Sequence, residues 1–90
     1  MTEFAELLSK PTNYAVVQLP GRKFPGVVFQ GDSLHALIAN LSRMQAEAAK
    51  HGDDELNAGF EELSETLGEV IGHYESICQS RGISLPYNKG

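Results

Sequence analysis

Apolar side chains recur through the second half of the chain at the spacing of an amphipathic helix. Steps of four and three residues alternate over three heptads, the a/d repeat of a helix that packs along a continuous seam. The seam consists of Leu56, Phe60, Leu63, Leu67, Val70, Tyr74 and Ile77. Asp53 can accept hydrogen bonds from the first free amides, and Gly82 suits the residue that follows a helix end. The pattern therefore predicts a long helix over about residues 53–81.

A shorter apolar stripe lies in the segment before this helix. Its positions recur at steps of three and four residues, with Leu37 and Ile38 adjacent, and are Leu34, Leu37, Ile38, Leu41, Met44 and Ala48. Asp32 or Ser33 can cap the first turn, and Gly52 can end the helix in the left-handed conformation. The stripe predicts a helix over about residues 33–51. It runs antiparallel to the longer helix, because only a short turn joins the two.

The first 30 residues carry the signals of short strands. Residues 14–19 and 26–30 are rich in β-branched and aromatic side chains, and two Pro-Gly pairs between them favour turns. Residues 4–9 favour a third strand over a short helix, and residues 83–87 form an edge strand or an extended tail. The predicted class is α+β. An N-terminal β-hairpin or small antiparallel sheet precedes an antiparallel two-helix hairpin with a long second helix.

Length and composition fit one soluble domain. With 90 residues and a mass of 9.8 kDa, the chain has room for a single core, so we expect one domain over residues 1–90. Hydrophobic residues make up 41% and charged residues 21%, as in globular rather than disordered or fibrous proteins. No apolar run approaches the roughly 20 residues of a membrane span. The N-terminus is acidic where a secretory leader is basic, so we expect a cytoplasmic protein.

Charge is concentrated in the second half of the chain, within a net charge of −5. Residues 1–52 carry four acids and five bases, whereas residues 53–90 carry eight acids and two bases. Because carboxylates repel phosphate, the long helix is not expected to bind nucleic acid directly. It presents either a solvated face or a surface that docks a basic protein partner by charge complementarity. The carboxylates expected to bind such a partner are Glu61, Glu62, Glu65 and Glu69.

A second candidate contact lies in the connection between the two strands. Arg22 and Lys23 form a compact basic pair beside the aromatic ring of Phe24. Two charges hold nucleic acid too weakly for firm binding, but they can recognise an acidic protein surface. We therefore expect this loop to contribute to partner binding.

Residues suited to catalysis or metal binding do not form a recognisable set. His35 follows Asp32 by three residues, yet the sequence places no nucleophile beside this pair. His73 and Cys78 are five positions apart, which turns them about 140° around a helix and prevents shared metal ligation. We predict no catalytic residue, no metal and no cofactor. The alternative is an enzyme or a small-molecule regulator with a cleft near Asp32 and His35.

The unequal helix lengths bear on assembly. At about 1.5 Å per residue, the second helix spans about 43 Å and the first about 28 Å. The distal part of the seam is therefore uncovered in a monomer, and fully burying one such side chain contributes roughly 1.5–3 kcal/mol. We expect a homodimer in which the seven seam residues pack between helical hairpins. Alternatively, Gly68 and Gly72 bend the long helix and shorten its uncovered part.

Residues 13–34, with the sequence NYAVVQLPGRKFPGVVFQGDSL, resemble the signature of a family of short, uncharacterised bacterial proteins. Within this run, residues 24–26 and 30–34 are also similar to the strand-to-helix junction of HicB-type antitoxins, which bind and block a small RNA-cleaving toxin. His35 and Ala36 stand where HicB proteins usually carry acidic residues, and the long acidic helix replaces their DNA-binding segment. The resemblance implies a bacterial protein that acts on a protein partner.

Together, these features predict a non-enzymatic protein-protein interaction module that is homodimeric through its helices. One alternative is an antitoxin or immunity-like inhibitor of a basic protein, because an acidic chain can cover a basic nuclease. The other is the enzyme or small-molecule regulator described above.

Overall fold

A computed structural model describes residues 3–88 and confirms the α+β class. Three strands come first: β1 (Glu6–Leu7), β2 (Tyr14–Gln18) and β3 (Gly26–Phe29). Two helices follow, α1 (Gly31–Ala49) and α2 (Asp54–Ser80). The chain is thus a small antiparallel sheet followed by a helical hairpin whose second helix is the longer.

β2 is the central strand of the sheet, which has the order β1-β2-β3. The register places Tyr14 opposite Phe29 and Val16 opposite Val27. Opposite residues project from the same side of an antiparallel sheet, so these four side chains form one sheet face. The Tyr14 and Phe29 rings lie 6.4 Å apart on this face.

β1 is shorter than the predicted segment 4–9. Leu8 N donates to the carbonyl oxygen of Val16 at 2.9 Å, which continues the ladder one residue past β1. The Val16 N–H then bonds the side-chain Oγ of Ser9 at 2.8 Å instead of a backbone carbonyl. A side-chain hydroxyl that takes the place of a backbone acceptor ends strand pairing at this point.

α1 starts immediately after the sheet, with only Gln30 between β3 and the helix. The predicted capping by Asp32 or Ser33 is wrong, because Gln30 occupies the N-cap position and makes no side-chain capping bond. Asp32 Oδ1 instead accepts the Ser33 N–H at 2.8 Å within the first turn. A Cβ atom at Gly31 would overlap the ring of Tyr74. The first residue of α1 must therefore be glycine for Tyr74 of α2 to pack against it.

α2 begins and ends with the local chemistry that the sequence indicates. Asp53 Oδ1 accepts the Leu56 N–H at 3.0 Å, which caps the first turn. Gly52 and Gly82 each have φ of 68°, a conformation that suits glycine after a helix end. Ile83 N donates to the Cys78 carbonyl oxygen at 2.8 Å, which reverses the chain beyond α2.

The two helices pack against each other along one stripe of α2. Ser64 Oγ donates to Gln45 Oε1 of α1 at 2.7 Å, which shows the side of α2 that faces α1. The half-buried or buried residues on the same stripe are Phe60, Leu67, Ile71, Tyr74 and Cys78. The 27-residue α2 spans about 40 Å and the 19-residue α1 about 28 Å.

The chain is elongated and exposes much of its surface. Its radius of gyration is 16.0 Å, against about 12 Å for a compact chain of this length. Its accessible surface is 7295 Å², whereas a compact monomer of this mass exposes about 5200 Å². The buried apolar residues of the described chain are Ala15, Val17, Leu34, Ala48 and Cys78. No side chain in residues 3–88 is completely buried, so the core is small.

The segment after α2 folds back as an extended tail without strand pairing in the described residues. The ring of Tyr87 stacks on the imidazole of His35, with 3.7 Å between ring centroids. Its hydroxyl donates to Glu75 Oε2 at 3.0 Å. Burial and this hydrogen bond raise the pKa of Tyr87 to about 12. The tail therefore ties the start of α1 to the last turns of α2.

Candidate functional site

The seven-residue seam of α2 divides into two rows with different surroundings. Phe60, Leu67 and Tyr74 lie on the stripe that faces α1 and are half-buried. The remaining four residues recur at intervals of seven and stay 45% to 54% exposed: Leu56, Leu63, Val70 and Ile77. Residues spaced by seven lie almost above one another on a helix, so this second row follows α2 along its length.

α1 contributes a matching row. Leu37 and Met44 are also seven residues apart, and they are 49% and 58% exposed. Both exposed rows are rotated in the same sense from the stripe that joins the helices. In an antiparallel pair, this places them on the same side of the hairpin. Met44 and Leu56 accordingly line one open groove between the helices.

These six residues form one surface, here called the helical apolar face: Leu37, Met44, Leu56, Leu63, Val70 and Ile77. Within residues 3–88, the two helices contact each other far more than either contacts the sheet. The sheet therefore does not cover this face. Single exposed apolar side chains are ordinary, whereas contiguous exposed apolar surface is typical of interaction sites. The helical apolar face is therefore a candidate site.

The predicted acidic residues lie together on another side of α2. Glu61, Glu62, Glu65 and Glu69 are all exposed and lie away from the stripe that contacts α1. These four residues are called the acidic ridge below. α2 contains no Lys or Arg, and the ion pair that residues 3–88 form, between Lys50 and Glu47 of α1 at 3.0 Å, is elsewhere. The carboxylates of the ridge therefore face solvent with no Lys or Arg on their own helix.

The predicted basic loop is compact and exposed. Phe24 is 74% exposed, and Lys23 Nζ lies 5.4 Å from the centroid of its ring, within cation–π range. Gln18, which no sequence motif indicates, holds the loop by donating from Nε2 to the carbonyl oxygens of Arg22 at 2.6 Å and Leu19 at 3.2 Å. The loop and the acidic ridge belong to different elements, the β2–β3 connection and α2.

The two groups proposed for an alternative cleft are engaged in local structure. His35 stacks on Tyr87, and Asp32 binds the Ser33 amide. Asp32 also lies near Tyr74, whose pKa is raised by burial, by the side-chain hydrogen bond with Cys78 and by the charges of Cys78 and Asp32. This cluster joins α1, α2 and the tail. Tyr87 lies outside any repeating apolar pattern, so the sequence gives no indication of its role.

Two further observations on residues 3–88 concern metal ligands and helix hydropathy. Within residues 3–88, no three His, Cys, Asp or Glu side chains lie close enough together to hold a metal ion. Neither α1 nor α2 combines the length and the hydropathy required to span a bilayer. The candidate surfaces of residues 3–88 are the helical apolar face, the acidic ridge and the basic loop.

Comparison with known proteins gives a family match without a functional description. The model of a family described as "Family of unknown function (DUF6959)" matches residues 1–87. No curated protein and no solved structure matches the chain.

Proposed function

The chain belongs to this family of unknown function, and we propose that it is a non-enzymatic interaction module that forms a homodimer through the helical apolar face. The row of half-exposed residues at seven-residue intervals along α2 is the observation that carries this proposal. Two hairpins that meet through such rows bury them in a four-helix arrangement.

The exposed surface area supports association. The chain exposes about 2100 Å² more than a compact monomer of its mass. A standard stable interface buries about 800 Å² on each partner. The excess is therefore large enough for at least one such interface, and it accompanies a core in which no described side chain is completely buried.

A second copy is the partner that fits this face best. The face is built from aliphatic and Met side chains without a charged residue among its six members, which suits a partner surface of the same chemistry. In a two-fold dimer the same residues act on both sides of the interface, so the heptad rows of one hairpin meet those of the other. Burying the exposed half of each side chain contributes about 1 kcal/mol per residue before the costs of association.

Light scattering of the purified protein tests the homodimer. We expect a mass of at least twice the 9.8 kDa of one chain. Leu63→Glu places a charge in the centre of the helical apolar face and should halve the measured mass at the same concentration.

Ala46→Glu is the matched control. Ala46 is exposed on α1, on the side of the hairpin opposite the apolar face, and a glutamate there can pair with Lys50 four residues on. This variant should keep the wild-type mass. A wild-type protein that is monomeric at high concentration, or a Leu63→Glu variant with unchanged mass, would exclude the helical dimer.

The acidic ridge supports a second candidate function, an antitoxin-like or immunity-like inhibitor of a basic protein. Its four carboxylates face solvent on a helix without bases, which favours rapid capture of a basic surface. A bound partner should be released as salt is raised. Binding of the partner should also be lost when the four Glu residues of the ridge are changed to Gln. Capture that survives both changes would argue against this function.

A further inference from the structure

The free edge of the sheet is a second surface that the helical dimer leaves unused. β3 pairs with β2 on one side and forms the edge of the sheet on the other. The Gln30 N–H donates to the Asn13 carbonyl oxygen at 2.9 Å, in register with the β2–β3 ladder. Backbone groups of successive residues alternate in direction along a strand. The N–H and C=O groups of Val27 and Phe29 therefore point away from β2.

Nothing in β3 blocks this edge. Natural edge strands discourage pairing with charged side chains, proline, bulges or a covering helix. The segment Gly26–Phe29 contains no charged residue and no proline. Its register with β2 is continuous over four residue pairs, without a bulge. Within residues 3–88, β2 contacts β3 far more than either helix does. Val27 and Phe29 are 58% and 51% exposed. The edge is thus apolar, regular and open.

We propose that β3 pairs with β3 of a second copy, in antiparallel register about Val28, and joins the two sheets into one of six strands. The register follows from symmetry. With a two-fold axis at Val28, Val27 lies opposite Phe29 of the second copy, and the reverse pair forms by the same operation. Both members of each pair carry outward-pointing N–H and C=O groups, so the two pairs close four hydrogen bonds.

The side chains agree with this register. Val27 and Phe29 lie on the same sheet face as Tyr14 and Val16. Pairing about Val28 places Phe29 of one copy beside Val27 of the other, an aromatic and a β-branched residue, which is a favourable cross-strand combination. The face that bears the Tyr14–Phe29 ring pair then continues across the two-fold axis.

The surface area has room for this contact in addition to the helical one. Two standard interfaces bury about 1600 Å² of each chain, within the excess of about 2100 Å² over a compact monomer. Two different two-fold contacts on one chain close into an assembly of four chains when their axes cross at right angles, the D2 arrangement that is common among homo-oligomers. The wild-type protein is then expected to have four times the mass of one chain.

Amide exchange read by NMR tests the pairing within one strand. The Val28 N–H points toward β2 and is protected in any folded form. The Val27 and Phe29 N–H groups are protected only when a second strand pairs with the edge. We expect these two amides to exchange roughly tenfold more slowly than unpaired amides, or slower still. Exchange at the free rate for both, with Val28 protected, would overturn the proposal.

Proline substitution provides a second test. Val27→Pro removes an outward N–H and leaves the β2–β3 hydrogen bonds in place, because proline is tolerated where an edge N–H faces outward. Val27→Thr is its control, since threonine keeps both the N–H and the β-branched shape. The proline variant should have half the wild-type mass and the threonine variant the wild-type mass. A proline variant that keeps β2–β3 amide protection and the full mass would contradict strand pairing.

The helical-face variant separates this proposal from the homodimer proposed above. If both contacts form, Leu63→Glu and Val27→Pro are each dimeric and the double variant is monomeric. If only the strands pair, Leu63→Glu leaves a dimer unchanged and Val27→Pro alone gives a monomer. If only the helices pair, Val27→Pro has no effect on the mass, and strand pairing is refuted while the helical dimer stands.

Discussion

The two rows of the α2 seam have the same chemistry and different surroundings. Leu67 packs toward α1 and is half-buried, whereas Leu63, one turn earlier, is 54% exposed. Both belong to one uninterrupted heptad repeat. The difference arises because a single neighbouring helix covers an arc narrower than the two rows together. A heptad repeat on a two-helix hairpin therefore stabilises the fold with one row and leaves the other row exposed to solvent.

Alanine at one position of each row should separate the two roles most clearly. We expect Leu67→Ala to lower the free energy of unfolding by roughly 2–3 kcal/mol at every protein concentration, because it empties the contact between α1 and α2. Leu63→Ala should lower it only at concentrations where the chains associate. Urea denaturation over a wide range of protein concentration measures both. Equal losses at the lowest concentration would remove the distinction between the rows.

Gly31→Ala should have the next largest effect, because it acts on the row that faces α1. A Cβ at this position overlaps the ring of Tyr74, and the ring must move out of its packed position. We expect a loss of about 2 kcal/mol in the free energy of unfolding. Tyr74→Ala should make the second substitution nearly neutral in a double-mutant cycle. Additive losses would show that the two residues do not interact.

Tyr87→Phe tests the tail that closes the end of the hairpin. Phenylalanine keeps a ring to stack on His35 and loses the hydroxyl that donates to Glu75, which should cost about 1 kcal/mol.

The same variant should weaken the dependence of stability on alkaline pH. The pKa of Tyr87 is raised from its ordinary 10.0 to about 12 in the folded chain. The unfolded chain therefore loses this proton first, and the stabilisation present below about pH 10 is lost as pH rises toward 12. Urea denaturation at about pH 9 and about pH 11 measures the difference. An identical loss in wild type and variant would show that another group is responsible; Tyr74, whose pKa is also raised, is the first to examine.

Gly68→Ala should give the smallest change and the opposite sign from Gly31→Ala. A Cβ at Gly68 meets no atom within 4 Å, so the substitution adds helix propensity without a collision. We expect a gain of about 0.5–1 kcal/mol in thermal or urea denaturation. A loss at this position would mean that another chain approaches the helix backbone closely.

Much of this architecture follows from local chemistry. The cap at Asp53, the glycines at positions 52 and 82 and the apolar spacing of α2 all act within a few residues of chain. They identify α2 and its apolar seam, and the order of elements in the chain then indicates the α+β class.

The features that sequence reasoning missed depend on contacts between distant residues. The start of α1 at Gly31 is tied to Tyr74, more than 40 positions away, and local cap preferences pointed instead to Asp32 or Ser33. The Tyr87–His35 stack likewise joins the tail to α1. The division of the seam into two rows depends on how α2 is rotated toward α1. The apolar repeat of α2 alone does not specify that rotation.

The Ser9 hydroxyl on the Val16 amide limits how far such a sheet can grow. β1, the opposite edge, has only two residues, and a side chain closes its ladder. Long regular edges on both sides would let one sheet template the next without end, as in fibrils. With one usable edge per chain, strand addition stops after a single joining event, so the sheet should not grow beyond six strands and concentrated solutions should bind no fibril-specific dye.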